Sequence, residues 1–409
     1  MFGKNSRIPA AVALVGALLG LVFATYSTLD YAAHLDRQLH DVHCSVIPGA
    51  PPQEEAEGCR AAMYSAYSAI LKTSLWGGIP VSSFAQGCFA FLAGFALFLL
   101  VAGPRASKTA VAFFAGISIT PLLVSIGMFI IALTQLGQLC QTCVGIYLSS
   151  GLVAAGGLLG LLTLRGVADG SERERGSVLW PLAWLPALGF VTLAPSLVYA
   201  QSAPDHRPFL KTCGSLKKPS PGQGVAIPLV GARAIKPAVI FEDPLCATCK
   251  AVHQRLEDEG VMERLNAELI LFPLDSKCNW MLASPLHPGA CAVSKAVLCA
   301  NERAPQVLAW AYDNQDQLLR AGKADLAAKR EDDGTVKEVI KGKWGPELVA
   351  CIDAKATNQR LNKHLQFAVD NSVPVSTPQI YLSNQRLCDE DTDMGLKFTL
   401  TQIAPEVVQ

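Results

Sequence analysis

The chain is predicted to be a membrane all-α four-helix bundle, extended by a fifth linking transmembrane helix and followed by a soluble α/β domain with a helical insertion. Three observations predict it. Four long stretches, residues 8–29, 73–104, 109–164 and 176–204, contain no Asp, Glu, Lys or Arg. Two Cys-x-x-Cys motifs are present: Cys140-Gln141-Thr142-Cys143 opens an apolar run, and Cys246-Ala247-Thr248-Cys249 sits in the polar second half. From about residue 235 the pattern runs strand, helix, strand before a long helix-forming segment.

The 409 residues carry 34 basic and 34 acidic side chains, leaving no basic bias toward nucleic acid. Each charge-free stretch can cross a bilayer, which needs about 20 apolar residues, and the third is long enough for two helices. It breaks near Thr134 to Leu139, around Gly137. This places spans at about 8–29, 78–102, 109–133 and 139–164 in a membrane domain 1–170, with the fifth helix in 171–204. The first segment reads as a retained helix rather than a cleaved signal peptide, because four more spans follow. Val198-Tyr199-Ala200 reads as span rather than cleavage site, and Trp180, Trp184 and Tyr199 as interfacial anchors.

Lys4, Arg7, Arg105, Lys108, Arg165, Arg173 and Arg175 mark the ends expected to face the cytoplasm. The intervening loops and everything after the fifth span then face outside. An outer, oxidising compartment suits a chain with 13 cysteines. Cys88, within the second span, reads as a small buried hydrophobe.

The outer loop of residues 30–72 holds Cys44 and Cys59, separated by an irregular stretch from Pro48 to Glu57. A short surface helix is expected from Cys59 to Lys72, and Trp76 to Pro80 turns the chain into span two. His34, His40 and His43 read as solvated loop residues, with tuning of the Cys44 thiolate as the alternative. Residues 205–234, rich in Pro, Gly, Ser and Lys, read as a linker ahead of a domain 235–409.

In that domain Pro237 to Phe241 is a strand signal, Cys246 to Gly260 a helix and Glu268 to Leu274 a second strand. Helices are expected at Ala292–Ala300, Ala304–Leu319 and Pro346–Ala354, then a hairpin through Asn384 and a last helix near Asp393–Ile403. Cys213, Cys278, Cys291, Cys299, Cys351 and Cys388 form an even outer set whose natural reading is structural bridges, with Cys278–Cys291 and Cys299–Cys351 favoured.

A thiol pair two residues apart switches between dithiol and disulfide. Two such pairs flanking a membrane surface imply that electrons pass from protein to a lipid-soluble acceptor. Zinc half-sites are the competing reading, but the motifs lie far apart and no His is near Cys140, so no metal is assigned.

Phe241-Glu242-Asp243-Pro244-Leu245-Cys246-Ala247-Thr248-Cys249-Lys250, between strand and helix, resembles the active site of thioredoxin-fold oxidoreductases, and the helical insertion looks most like the DsbA branch. A helix N-terminus favours the Cys246 thiolate, while Glu242 and Asp243 push the other way. Thr377-Pro378 resembles the cis-proline loop of that fold, which implies that Pro378 is cis and lies beside the Cys246–Cys249 pair.

Residues 8–164 resemble the vitamin K epoxide reductase family in its bacterial form, fused to a thioredoxin-like domain. The carriers are Cys44, Cys59, Ser65 six residues later, Gly77-Gly78-Ile79-Pro80-Val81-Ser82 and Cys140-Gln141-Thr142-Cys143. The resemblance implies that Cys44 meets the soluble domain, Cys59 exchanges with Cys140, and Cys143 sits nearest a bound quinone, ubiquinone or menaquinone, with Ser65 near a quinone oxygen or thiolate. Cys44 and Cys59 are fifteen positions apart, wider than is usual there. A purely structural Cys44–Cys59 staple is the bland alternative.

The expected function is therefore a membrane thiol oxidoreductase that makes disulfides in exported proteins and passes the electrons to quinone, in a bacterial inner membrane with the soluble domain in the periplasm. Outward delivery of reducing equivalents, or cysteine-based metal handling, are the alternatives. A metal path would place ionisable groups within the spans, and the four charge-free stretches have none.

Overall fold

The structure is a computed structural model that describes residues 7–37, 44, 57–136, 139–165, 180–222 and 224–408. Lys4, His40, His43, Gly137, Arg173 and Arg175, the stretch from Pro48 to Ala56 and the Trp180 side chain lie outside the described residues. The chain divides into two units, residues 1–205 and 206–409.

The first unit is built from α1 (Arg7–Ala33), α2 (Glu57–Tyr64), the two-residue strands β1 (Ala69–Ile70) and β2 (Ile79–Pro80), α3 (Val81–Ala102), α4 (Lys108–Ile131), α5 (Gln141–Arg165) and α6 (Trp180–Ser202). Among the described residues five helices, α1 and α3 to α6, are long and apolar enough to cross a membrane. Hydrocarbon offers no hydrophobic gain for helix association, so close backbone approach must supply it. Small residues do this on α1, where Ala13, Ala17 and Ala24 are fully buried. Gly156 of α5 faces them: a Cβ there would stand 2.6 Å from Ala13 N and 2.7 Å from Pro9 O.

The Ser83 and Ser196 hydroxyls join α3 to α6 at 2.8 Å. Trp184 and Tyr199, expected as interfacial anchors, hold α6 to the bundle itself: the Trp184 ring centroid lies 5.1 Å from both Phe95 and Phe113, and Tyr199 is buried 6.4 Å from Tyr31. Arg7 at the start of α1 lies beside Gly103 just after α3, so the basic helix ends gather at one end of the bundle. The cysteine-bearing loops gather at the other, where the Tyr31 hydroxyl donates to Gly77 O at 2.6 Å.

Two expectations need correction here. The surface helix ends at Tyr64 instead of Lys72, and the chain turns into the β1–β2 hairpin. Polar side chains close that turn: Ser65 Oγ donates to Ala62 O at 2.8 Å, Lys72 Nζ donates to Ser65 O at 2.5 Å and to Ser68 Oγ at 3.1 Å, and Leu71 takes a left-handed φ of 57°. His34 is buried rather than solvated, because its Nδ1–H donates to Asp30 O at 2.8 Å and its ring meets the edge of Tyr64.

The second unit contains β3 (Ile227–Val230), β4 (Lys236–Glu242), α7 (Ala247–Asp258), β5 (Leu265–Leu271), six helices α8 (Ala290–Cys299), α9 (Ala304–Asp313), α10 (Gln315–Ala327), α11 (Gly334–Trp344), α12 (Pro346–Ile352) and α13 (Lys355–Asp370), then β6 (Gln379–Leu382), β7 (Gln385–Arg386) and α14 (Leu396–Ile403). The sheet order is β3-β5-β4-β6-β7, with β4 and β5 parallel and the other pairs antiparallel. This is the expected thioredoxin-like α/β domain, with α8 to α13 inserted between β5 and β6.

Central β4 alternates between two cores, which is why Ala238 to Phe241 is apolar throughout. Val239 and Phe241 face Phe272, Phe367 and Tyr381, whereas Ala238 and Ile240 face Val252, Leu256, Leu396 and Leu400. Asn384 with φ 68° and Ser383 with φ 46° make the tight β6–β7 turn. Three disulfides staple the unit: Cys278–Cys291 and Cys299–Cys351, both favoured from sequence, and Cys213–Cys388.

Residues 205–234 are not a linker in the sense expected. Cys213 is bonded to Cys388, Leu216 is buried with its N–H donating to Asn384 Oδ1 at 2.9 Å, and β3 pairs with β5 at the sheet edge, where Pro228 is tolerated. The segment belongs to the soluble unit because side chains distant in sequence satisfy its backbone. The helix expected over Ala304–Leu319 is likewise split at Asn314, whose Nδ2 donates to Trp310 O at 2.8 Å.

Gly322 of α10 packs directly on Pro288, where a Cβ would meet Pro288 O at 1.8 Å. Gly322→Ala is therefore expected to destabilise the soluble unit by about 1–3 kcal/mol, because the contact is backbone and cannot rotate away. Thermal unfolding of the purified full-length variant, with its first transition lowered, checks this.

Candidate functional site

In the membrane unit four cysteines converge at the end of the bundle opposite Arg7. Cys44 and Cys59 form a disulfide, and Cys59 Sγ lies 3.0 Å from Cys140 Sγ. The sulfurs of Cys44, Cys59 and Cys140 all lie within 4.8 Å of one another and are buried. Three sulfurs in contact around one disulfide are what thiol–disulfide exchange requires, since the incoming sulfur attacks one sulfur and displaces the other.

Cys59 is carried by α2, and Cys140 immediately precedes α5. The Cys140 carbonyl accepts from Val144 N at 3.0 Å and its Sγ from Cys143 N at 3.3 Å, so the motif itself starts the helix. Cys143 is then one turn in and lines a cavity of about 310 Å³ between α1, α3, α4 and α5. The size is at the small end of ligand pockets, and the wall is dominated by apolar side chains such as Phe84, Val124, Met128 and Ile146. Ser65 lines the same cavity, with its hydroxyl donating to Ala62 O. Cys88, read from sequence as a buried hydrophobe, is half-buried and also on that wall.

In the soluble unit Cys246 is the N-cap of α7 and Cys249 lies in its first turn. Cys249 N donates to Cys246 Sγ at 3.4 Å, and the Cys246 thiol lies 3.5 Å from Thr377 O. Thr377–Pro378 is a cis peptide, so the predicted loop stands beside the motif. Hydrogen bonding from the Cys249 side chain outweighs burial and the Asp243 charge, and holds the Cys246 thiol down at about 6. Burial pushes the Cys249 thiol well up, with Cys246 and Glu242 adding to it. The two members of the motif are thereby divided into an attacking sulfur and a resolving one.

Sequence reasoning noted Glu242 and Asp243 but missed what holds them. Glu242 is fully buried and accepts from His253 Nδ1 at 3.2 Å and from the Tyr312 hydroxyl at 3.0 Å. Burial alone would push His253 down, but the Glu242 carboxylate prevails and holds it up at about 10. Asp243 accepts from Leu245 N, Leu274 N and His287 Nδ1, the last at 2.7 Å. Gln315, at the break between α9 and α10, donates to both Pro244 O and Cys246 O at 3.0 Å. Only His253, four residues after Cys249 on the same helix face, left a trace that spacing could have found.

The sequence-predicted residues thus form two groups, Cys44, Cys59, Cys140, Cys143 and Ser65 in one unit and Cys246, Cys249, Thr377 and Pro378 in the other. Reduced full-length protein is expected to be carbamidomethylated by iodoacetamide at Cys246 with a half-maximal rate near pH 6, while Cys249 stays unmodified at neutral pH. Peptide mass spectrometry across a pH series reads both; a half-maximum near pH 8.5, the value of a free thiol, would refute the assignment.

Residues 11–156 match the vitamin K epoxide reductase family. No curated protein matches the chain. Among solved structures, reduced DsbA1 from Neisseria meningitidis is similar at 13% identity and a TM-score of 0.31, over 47% of this chain and 91% of that one. The membrane unit thus carries the match to the vitamin K epoxide reductase family, and in this chain it is joined to a unit with a thioredoxin-like sheet order and a helical insertion.

Proposed function

We propose that the protein is a membrane thiol oxidoreductase that makes disulfides in exported proteins. A substrate thiolate attacks the Cys246–Cys249 disulfide, and the resulting Cys246/Cys249 dithiol is reoxidised by Cys44–Cys59. The electron pair passes from Cys59 to Cys140, and a quinone in the membrane cavity takes it from Cys140 and Cys143. Each protein step exchanges one disulfide for another, and the last converts two thiols and a quinone into a disulfide and a quinol.

The observation that carries this reading is Cys59 Sγ, bonded to Cys44 and 3.0 Å from Cys140, beside a cavity that Cys143 lines. A structural staple has no need of a third sulfur in contact. The low value of Cys246 supports the direction, because stabilising the reduced form makes the disulfide a better oxidant. The match of residues 11–156 to the vitamin K epoxide reductase family supports a quinone as acceptor, ubiquinone or menaquinone. In this reading the basic helix ends face the cytoplasm, and the cysteine end and the soluble unit lie outside, in the periplasm of a bacterial inner membrane. Residence in one chain makes the exchange between soluble dithiol and loop disulfide intramolecular, at an effective concentration of order millimolar.

Cys143→Ala should leave the soluble domain reducible by substrate but stop quinone reduction. The purified protein, given reduced unfolded substrate and a short-chain quinone, is followed by quinone absorbance and thiol loss together; normal quinone turnover by the variant would sink the relay. Truncation near residue 205 should spare quinone reduction by a small dithiol while abolishing oxidation of protein thiols. Retained protein oxidation by the truncated chain would remove the soluble domain from the pathway.

A further inference from the structure

The membrane cavity that holds Cys143 also holds one carboxylate. Among its described lining residues, Asp30 of α1 is the one Asp, Glu, Lys, Arg or His. The residue is 8% exposed, in the last turns of a helix long and apolar enough to cross a membrane. Burying a carboxylate on an apolar wall is costly, so such a residue marks chemistry more often than packing. Cys59, Cys140 and Cys143 line the same space, so the acid shares one cavity with the sulfurs that the proposed relay uses.

Quinone reduction by two thiols moves protons as well as electrons. Two S–H bonds break, one S–S bond forms, and two O–H bonds form on the quinol. A sulfur that attacks as thiolate has already lost its proton, and the quinone oxygen must gain one within a cavity whose wall is mostly apolar. The other polar groups on the wall are hydroxyls, such as Ser27, Tyr31 and Ser65, which do not release protons near neutral pH. A carboxylate does both halves of the transfer.

We propose that Asp30 is the proton carrier of this step: as carboxylate it accepts the proton of the Cys143 thiol, and as carboxylic acid it delivers that proton to the quinone oxygen. The second proton comes from the Cys140 thiol by the same route, so no outside reductant or acid is consumed. His34, one turn further, donates from Nδ1 to the Asp30 carbonyl and fixes this end of α1 against Tyr64. This assignment rests on the quinone reading above.

The test uses the full-length protein in detergent with a small dithiol and a short-chain quinone. Asp30→Asn keeps shape and polarity but cannot carry a proton, and is expected to lower kcat for quinone reduction by about 100-fold with KM for quinone little changed. Asp30→Glu should keep most of the activity. Formate, small enough for the cavity, should restore part of the Asn variant's rate, a response that a structural side chain would not give. Wild-type turnover by Asp30→Asn, a change confined to KM, or a loss that neither Glu nor formate repairs would each overturn the assignment. A wild-type protein that reduces no quinone would remove both the quinone reading and the role of Asp30, and is thereby distinguished from failure of Asp30 alone.

Discussion

The membrane unit is organised around the placement of one sulfur atom. Cys59 Sγ is bonded to Cys44 and touches Cys140, and this holds only if α2 lies against the start of α5. The turn after α2 secures it: Ser65 closes the helix onto Ala62, Lys72 reaches back to Ser65 and Ser68, and Tyr31 ties Gly77 to α1. Below it, the small-residue contact between α1 and α5, with Gly156 against Ala13, brings the helices close enough for the loops at their ends to meet. Backbone packing at one end of the bundle thus sets sulfur distances at the other.

The soluble unit solves a different problem, which is to favour a thiolate beside two buried carboxylates. Glu242 and Asp243 are both fully buried next to the motif and oppose negative charge on sulfur. Each is matched by a histidine from another segment, Glu242 by His253 and Asp243 by His287, and both imidazoles are raised by that pairing after burial has pushed them down. Removing one member of such a pair leaves a buried charge uncompensated, so the pairs hold the motif's surroundings in a single arrangement. Gln315 adds to this by clamping the backbone on either side of Leu245.

Much of this was legible in the sequence, and what was not has identifiable reasons. Charge-free runs reveal spans because the bilayer penalises every charge, and the apolar run Ala238 to Phe241 reveals a strand buried on both faces. The cysteine motifs and the cis peptide at Pro378 could be read from spacing and resemblance, whereas Cys278–Cys291 and Cys299–Cys351 were only the favoured choice among 15 connectivities of six cysteines. Residues 205–234 were misread because composition cannot see that Asn384 and Cys388, some 170 positions away, hold them to the domain. The same holds for Gln315 and His287, polar residues in helix or loop patterns whose partners come from β4 and its turn. Asp30 escaped notice because it stands one residue beyond a charge-free run, where a charge looks like the end of a span rather than part of a cavity wall.

The two Cys-x-x-Cys motifs show how little of their chemistry is in the motif. In each, the first sulfur caps a helix and accepts a hydrogen bond from the N–H of the second cysteine, at 3.3 Å for Cys140 and 3.4 Å for Cys246. They differ in what lies beyond the second cysteine. Cys249 is sealed, with 0% exposure, among Leu245, Leu271 and the insertion helices, so its only outlet is Cys246 and its only reaction is with another sulfur. Cys143 opens on a cavity of about 310 Å³ with an apolar wall and one acid, where a flat lipid-soluble molecule could reach it. A sealed second cysteine suits exchange with proteins, and an open one suits exchange with a small acceptor. In the proposed relay that contrast sets the order in which the two motifs act.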